Sequence, residues 1–142
     1  MDPLSLTASC IAILQLSGAI INTCYDYRSR VKSAAKDASR IVNELNSLRS
    51  IIESLFVLLE NEAEDKPSEK SALKELARES GPLAGCKLEL ETLEKKLESK
   101  EGWRATRAML LWPLKESDVR RVLQTIDGTK ATLQLALATD QR

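Results

Sequence analysis

Apolar residues recur along most of the chain at spacings of three and four, the period of a helix with one buried face. The clearest run is uninterrupted, and its members are Val31, Ala34, Ala38, Ile41, Leu45, Leu48, Ile52, Leu55 and Leu59. It predicts one helix over about 30–61, about 45 Å long at 1.5 Å per residue. The same pattern is compatible with an intermolecular coiled coil, but the other amphipathic segments of the chain favour packing within one molecule.

The first segment differs because it lacks charge. No charged residue occurs among the 23 positions from Pro3 to Tyr25, a run long enough to cross a bilayer. We predict a helix over about 4–25. Two interpretations are open: it is the inner helix of a bundle, apolar because neighbours surround it, or it enters lipid. The two are compatible, since a helix can be part of the core in the resting state and inserted in a membrane in the active one. Polar residues interrupt the run and no Lys or Arg precedes it, so it resembles neither a secretory signal nor a strong stop-transfer helix.

Three further helical segments are predicted in the second half of the chain. The first covers about 68–99 and is interrupted at Pro82, since proline removes a backbone donor. A short helix over about 102–111 follows, with Gly102 as the break between the two. The last helix covers about 114–139.

Two tryptophans, Trp103 and Trp112, flank the predicted short helix. Tryptophan is enriched at membrane interfaces, but it also packs where helices meet. The nearby Gly102 and Pro113 favour the packing role.

Each predicted helix has one apolar face and would be unstable alone, so the helices are expected to pack together. Aromatic residues are 4% of the chain, and there are only five glycines and four prolines, which disfavours a sheet with many turns. We therefore expect an all-α fold: an up-and-down bundle of four to five helices with a long second helix, forming one domain over 1–142.

The composition also excludes several kinds of chemistry. The chain has no histidine, the usual general base and the commonest zinc ligand. Cys10, Cys24 and Cys86 are an odd number without CxxC spacing, as expected for reduced thiols in a core. The glycines form no phosphate-binding loop. We expect no catalytic residue, no metal site, no cofactor and no enzymatic activity, and the balance of 21 basic and 21 acidic residues gives no reason to expect nucleic-acid binding.

A basic segment follows the charge-free run. Asp37 is the one acid between positions 28 and 40, against five cations: Arg28, Arg30, Lys32, Lys36 and Arg40. Such a cluster attracts anionic lipid headgroups at about 1 kcal/mol per charge, although a charge run is also common on a solvated face.

Three separated motifs stand out. The first is the opening run Met1–Ser9 with Ile11–Leu16, the second is Gly81-Pro82-Leu83 with Cys86, and the third is Trp112-Pro113-Leu114-Lys115 with Asp118-Val119 and Leu133–Leu137. In this order they resemble the HeLo-like domain at the N-terminus of many fungal NOD-like receptors. The resemblance covers essentially the whole chain.

The resemblance implies a membrane-targeting effector of fungal programmed cell death and heterokaryon incompatibility. Such a domain is cytoplasmic at rest and is clustered by a sensor or amyloid module elsewhere in the polypeptide or on a partner receptor. It then self-associates and perturbs the plasma membrane through its first helix. The residues expected to insert are Leu4, Leu6, Ile11, Ile13, Leu14, Leu16, Ile20 and Ile21. The alternative is a soluble adaptor that binds another protein and leaves membranes intact.

Overall fold

The computed structural model describes residues 3–64, 81–104 and 112–140, with side chains placed for 7–58, 83–97 and 112–138. Within this part the chain is helical and contains no strand, which confirms the predicted all-α fold. The four helices are α1 (Pro3–Arg30), α2 (Ala35–Glu64), α3 (Gly81–Arg104) and α4 (Glu116–Asp140).

The helices form an up-and-down bundle in which α1 packs against α2 and α3, and α4 packs against the same two helices. Tyr27 near the end of α1 contacts Leu97 near the end of α3, so these two helices run parallel. Lys96 late in α3 pairs with Asp118 early in α4, so α3 and α4 are antiparallel. The end of α1, the start of α2, the end of α3 and the start of α4 therefore meet at one end of the bundle.

The core is aliphatic and follows the predicted periodicity. On α2 its members recur at spacings of three and four, as Ala38, Ile41, Leu45, Leu48, Ile52 and Leu55, all fully buried. Each large side chain in such a core contributes roughly 1.5–3 kcal/mol to folding. The bundle is held together mainly by this shared apolar face.

The boundary between the first two helices is where the prediction was wrong. The first helix continues to Arg30 rather than ending near Tyr25, and α2 begins at Ala35 rather than near position 30. Val31 between them is extended (φ −125°, ψ 111°), and a short 3₁₀ turn, Lys32–Ala34, leads into α2. The sequence pattern does not indicate this turn, because Val31 and Ala34 are buried and the apolar period therefore runs through it without a break.

The third helix also differs from the prediction. It continues through Gly102 to Arg104, so the break expected at Gly102 is absent. Pro82 lies in the first turn of α3, where its missing N–H removes no helical hydrogen bond. The segments 68–80 and 105–111, predicted as helical, lie outside the described residues.

Candidate membrane-interacting surface

The first helix has one buried face and one exposed face. The buried face is formed by Cys10, Ile13, Ser17, Ile20, Ile21, Cys24 and Tyr27. Among the described residues before Arg28, the exposed side chains, which we call the uncharged face, are Ala8, Ile11, Gln15, Asn22 and Tyr25. Ile11 is 44% exposed and Tyr25 is 47% exposed, so two large apolar side chains of α1 point into solvent.

The uncharged face separates the two interpretations of the charge-free run. A helix enclosed on all sides needs no charge, but α1 lies at a corner of the bundle and presents one side to solvent. Burial therefore does not explain why the exposed positions between Thr7 and Tyr25 lack charge. By length and composition the helix could cross a membrane: the stretch Thr7–Arg30 has a window of mean hydropathy 1.4, although the core helix of a soluble protein passes the same test.

Most of the residues predicted to insert face inward. Ile13, Ile20 and Ile21 are buried, while Leu14 and Leu16 are partly buried against the core. Ile11 alone among the described members of the set is exposed, and the side chains of Leu4 and Leu6 lie outside the described ones. Tyr25 is a further exposed apolar residue that was not among the predicted ones, although its exposure follows from its helical phase with Ile11, about four turns earlier.

One polar group on the buried face is unsatisfied. The Oγ atom of Ser17 is buried and has no hydrogen-bond partner, whereas the hydroxyl of Thr23 donates to the Ala19 carbonyl at 3.0 Å. A buried hydroxyl without a partner costs about 1–3 kcal/mol. The unsatisfied Ser17 hydroxyl therefore offsets part of the stabilisation that the aliphatic contacts of α1 provide.

The five basic residues of the sequence prediction do come together, where α1 ends and α2 begins. We call this group the basic corner; all of its members, Arg28, Arg30, Lys32, Lys36 and Arg40, are exposed. Two carboxylates lie among them: Asp26 pairs with Arg30 at 3.2 Å, and Asp37 pairs with Arg40 at 3.7 Å. Asp26 lies two residues before Arg28, outside the interval 28–40 in which Asp37 is the one acid.

The remaining three cations have no ion pair among the described residues. Arg28 donates to the Oγ atom of Ser39 at 3.2 Å and lies over the Tyr25 ring, 5.4 Å from its centre. Lys36 lies in the first turn of α2 and Lys32 in the 3₁₀ turn just before it, near the positive end of that helix dipole, where cations are disfavoured by roughly 0.3–1 kcal/mol each. The arrangement of these lysines is therefore not explained by helix stability.

A family model described as pigment biosynthesis cluster protein PigL N-terminal matches residues 1–141. The chain belongs to this family. The match to the PigL N-terminal family includes all four helices, so the uncharged face and the basic corner are both part of the family domain. No curated protein and no solved structure gives a significant match.

An aromatic contact lies at the end of this PigL N-terminal domain where the basic corner is found. Trp112, just before α4, packs edge-on against Tyr27, with ring centres 5.3 Å apart and planes at 82°. The side chain of Trp112 is partly buried, and its contact with α1 agrees with the packing role expected from the sequence. Trp103 has no described side chain.

The three cysteines are buried and free, as expected for core thiols. Burial raises the pKa of Cys10 to about 11 and that of Cys24 to about 12, because the thiolate is poorly solvated in the core. Thiols with such pKa values are unreactive near neutral pH. Among the described residues, no three His, Cys, Asp or Glu side chains are grouped so that they could hold a metal ion.

Proposed function

We propose that this chain is a HeLo-like membrane effector domain of fungal programmed cell death and heterokaryon incompatibility. In the proposed mechanism the bundle is its resting, cytoplasmic form. A sensor or amyloid module outside this chain clusters several copies, the basic corner binds anionic headgroups of the plasma membrane, and α1 enters the lipid. The domain is not an enzyme and uses no cofactor, and its partners are lipids, other copies of itself and the sensor. The single observation that carries the proposal is the uncharged face of α1.

Solvent-facing helix surfaces normally carry charge, and the other helices follow that rule. Lys95 is exposed on α3, and Arg120 and Asp127 are exposed on α4. On α1 the exposed positions before Arg28 hold only uncharged side chains. Each charge carried into the bilayer centre costs about 2.5–3.5 kcal/mol on insertion scales. The uncharged face supports a role in which both sides of the helix meet lipid.

The buried face of α1 accounts for the need for a trigger. Ile13 and Ile20 each contribute roughly 1.5–3 kcal/mol in the bundle, and this burial is lost when the helix leaves. The unsatisfied Ser17 hydroxyl offsets part of that stabilisation. In the proposed mechanism, clustering at a membrane supplies the remaining free energy needed to release α1. It can do so because the membrane binds the released conformation more tightly than the resting one.

The decisive experiment measures dye release from anionic vesicles by the purified chain, alone and clustered through a chemically dimerised tag. The test variant, Gln15→Glu with Asn22→Asp, adds two charges to the uncharged face without changing side-chain shape. Both positions are exposed, so the fold should be retained. We expect clustering to cause release by the native chain and the two charges to abolish it. These positions are preferable to Ala12 or Ala19, which are partly buried.

A matched control makes the same isosteric changes elsewhere. Gln134→Glu on α4 and Asn46→Asp on α2 are also exposed, and this pair should release dye like the native chain. If the α1 variant keeps its melting temperature and still releases dye, α1 does not insert. If the clustered native chain leaves vesicles intact, the membrane function itself is wrong.

An adaptor function is the second candidate. It is favoured by Leu88, which is 64% exposed on α3, and by a groove between α1 and α3 whose walls are Ala12, Gln15, Leu16, Lys87, Glu91 and Glu94. A protein partner would bury this surface, and Leu88→Lys would weaken its binding. The same variant should leave vesicle release unchanged if the membrane function is correct.

A further inference from the structure

Ser33 is an exposed serine in the one place where the described residues 3–64 leave the α-helix. Within 3–64, only Val31 and the turn Lys32–Ala34 are not α-helical. The Ser33 side chain has no hydrogen-bond partner among the described residues. It lies inside the basic corner, with Arg30 three residues before it and Lys36 three residues after it.

The neighbouring serines are differently placed. Ser29 is on α1, and its hydroxyl donates to the Asp26 carbonyl at 2.9 Å. Ser39 is on α2, and its hydroxyl accepts a hydrogen bond from Arg28 at 3.2 Å. A kinase binds its substrate segment in an extended form, which a regular helix does not provide. Ser33 lies in the short 3₁₀ turn, two residues after the extended Val31, and it is the serine of this segment that has a free hydroxyl and is not part of an α-helix.

We infer that Ser33 is a phosphorylation site that switches off membrane association through the basic corner. The enzyme is a serine kinase whose acidic substrate groove selects Arg30 and Lys32. The Ser33 Oγ atom attacks the γ-phosphorus of Mg·ATP, the bond from that phosphorus to the β–γ bridging oxygen breaks, and ADP leaves. The hydroxyl proton passes to the catalytic aspartate of the kinase. This inference rests on the proposed function.

The charge balance of the basic corner shows why one phosphate is sufficient to weaken binding to an anionic membrane. Asp26 and Asp37 leave the five cations of the basic corner with an excess of three positive charges. A phosphoserine carries about −1.5 to −2 at neutral pH, which removes about half to two thirds of that excess. Because attraction to an anionic leaflet scales with this charge at about fivefold in affinity per charge, binding should weaken on the order of 10- to 30-fold.

The fold should tolerate the phosphate. Ser33 precedes the first turn of α2, and an anion near a helix N-terminus is favoured by the dipole and by free N–H groups. Lys32 and Lys36 lie on either side of it in the sequence. The modification therefore changes the surface charge without unfolding the bundle.

The first arm of the test asks whether the folded chain is a substrate. The intact chain is incubated with Mg·ATP and the catalytic subunit of cAMP-dependent protein kinase, and the modified residue is located by mass spectrometry. A peptide covering 27–39 is the control for kinase activity. We expect Ser33 to be modified in both, and no phosphate on it in Ser33→Ala. Modification of the peptide but not of the folded chain at Ser33 would overturn the inference.

The second arm measures binding to vesicles that contain phosphatidylserine, with phosphatidylcholine vesicles as the neutral reference. The phosphorylated chain and Ser33→Glu should both bind more weakly than the native chain, the phosphorylated form by 10- to 30-fold. Ser54→Glu, the same change at an exposed serine far along α2, should bind like the native chain. Unchanged binding after phosphorylation refutes the switch alone. A native chain that binds neither vesicle refutes the proposed membrane function, and the switch with it.

Discussion

The hydroxyl of Tyr27 donates a 3.0 Å hydrogen bond to the main-chain carbonyl of Leu97, so the end of α1 is attached to α3. Tyr27 is fully buried, and its ring also packs against Trp112. A single side chain thus joins three parts of the chain at the end of the bundle where the basic corner lies. In the proposed function this contact holds α1 in its resting position.

Replacing Tyr27 with Phe keeps the ring and removes the hydroxyl. We expect the free energy of unfolding to fall by about 0.5–1.5 kcal/mol, the usual net value of one hydrogen bond. The urea midpoint should fall with an unchanged slope. Less clustering should then be needed for vesicle dye release. Tyr25→Phe, at an exposed tyrosine on the same helix, is the matched control and should change the free energy of unfolding by less than about 0.5 kcal/mol. Equal midpoints for the two variants would show that the Leu97 contact contributes nothing.

The two lysines without ion pairs should contribute most to lipid binding. Lys32→Gln with Lys36→Gln removes two charges, and at about 1 kcal/mol per charge binding to anionic vesicles should weaken roughly 30-fold. The loss should shrink in high salt, since exposed charges are screened. Ser50→Glu with Ser54→Glu changes the net charge equally on a distant part of α2 and should have little effect. Similar losses in both pairs would mean that net charge alone drives association.

The buried thiols predict a loss of stability in alkali. Cys10 and Cys24 have their pKa values raised to about 11 and about 12 from 9.0, so the unfolded chain releases these protons at lower pH than the folded one. Stability from this source is complete below pH 9 and falls as pH rises towards 11–12, by up to about 1.4 kcal/mol per pH unit for each thiol. Urea titrations between pH 8 and 10.5 should show a shallower fall for Cys10→Ala with Cys24→Ala. A slope identical to that of the native chain would contradict the burial of these thiols.

Gly128 should be a site where the fold gains stability. It lies inside α4, and a Cβ atom added there would meet no neighbouring atom within 4 Å. Gly128→Ala should therefore stabilise the protein by about 0.5–1 kcal/mol, which raises the melting temperature by about 2–4 °C. The reverse change, Ala131→Gly at an exposed position of the same helix, should lower the stability of the protein by a similar amount. A lower melting temperature for Gly128→Ala would indicate that α4 requires local flexibility.

The sequence predicted the core well because burial itself produces the periodicity. Ile41, Leu45 and Leu48 were assigned to one face by their spacing, and all three are fully buried. The basic corner was also predictable, since its members are close together in the sequence. Arg40 lines a groove with Arg120 of α4, however, and that neighbour depends on how distant helices pack.

Two features could not be predicted, and each has a physical reason. The turn at Val31 has no glycine or proline and keeps its apolar residues in phase, so the local sequence contains no signal that the chain reverses there. The exposure of Ile11 is the second feature. A large apolar side chain in a charge-free run gives no signal of a solvent-facing position, so the packing of α1 against α2 and α3 decides that Ile13 is buried and Ile11 is exposed.

Val31 also determines how far α1 could travel. The N–H of Val31 donates to the Tyr27 carbonyl at 2.7 Å, and the Val31 carbonyl accepts from Ala34 at 3.1 Å, so one extended residue is the whole joint between two regular elements. The 28 residues of α1 form a helix about 42 Å long. A rotation of α1 by 90° about Val31, with the basic corner kept in place, would displace Pro3 by a straight-line distance of about 60 Å. Both lengths exceed the roughly 30 Å thickness of the hydrocarbon layer of a membrane.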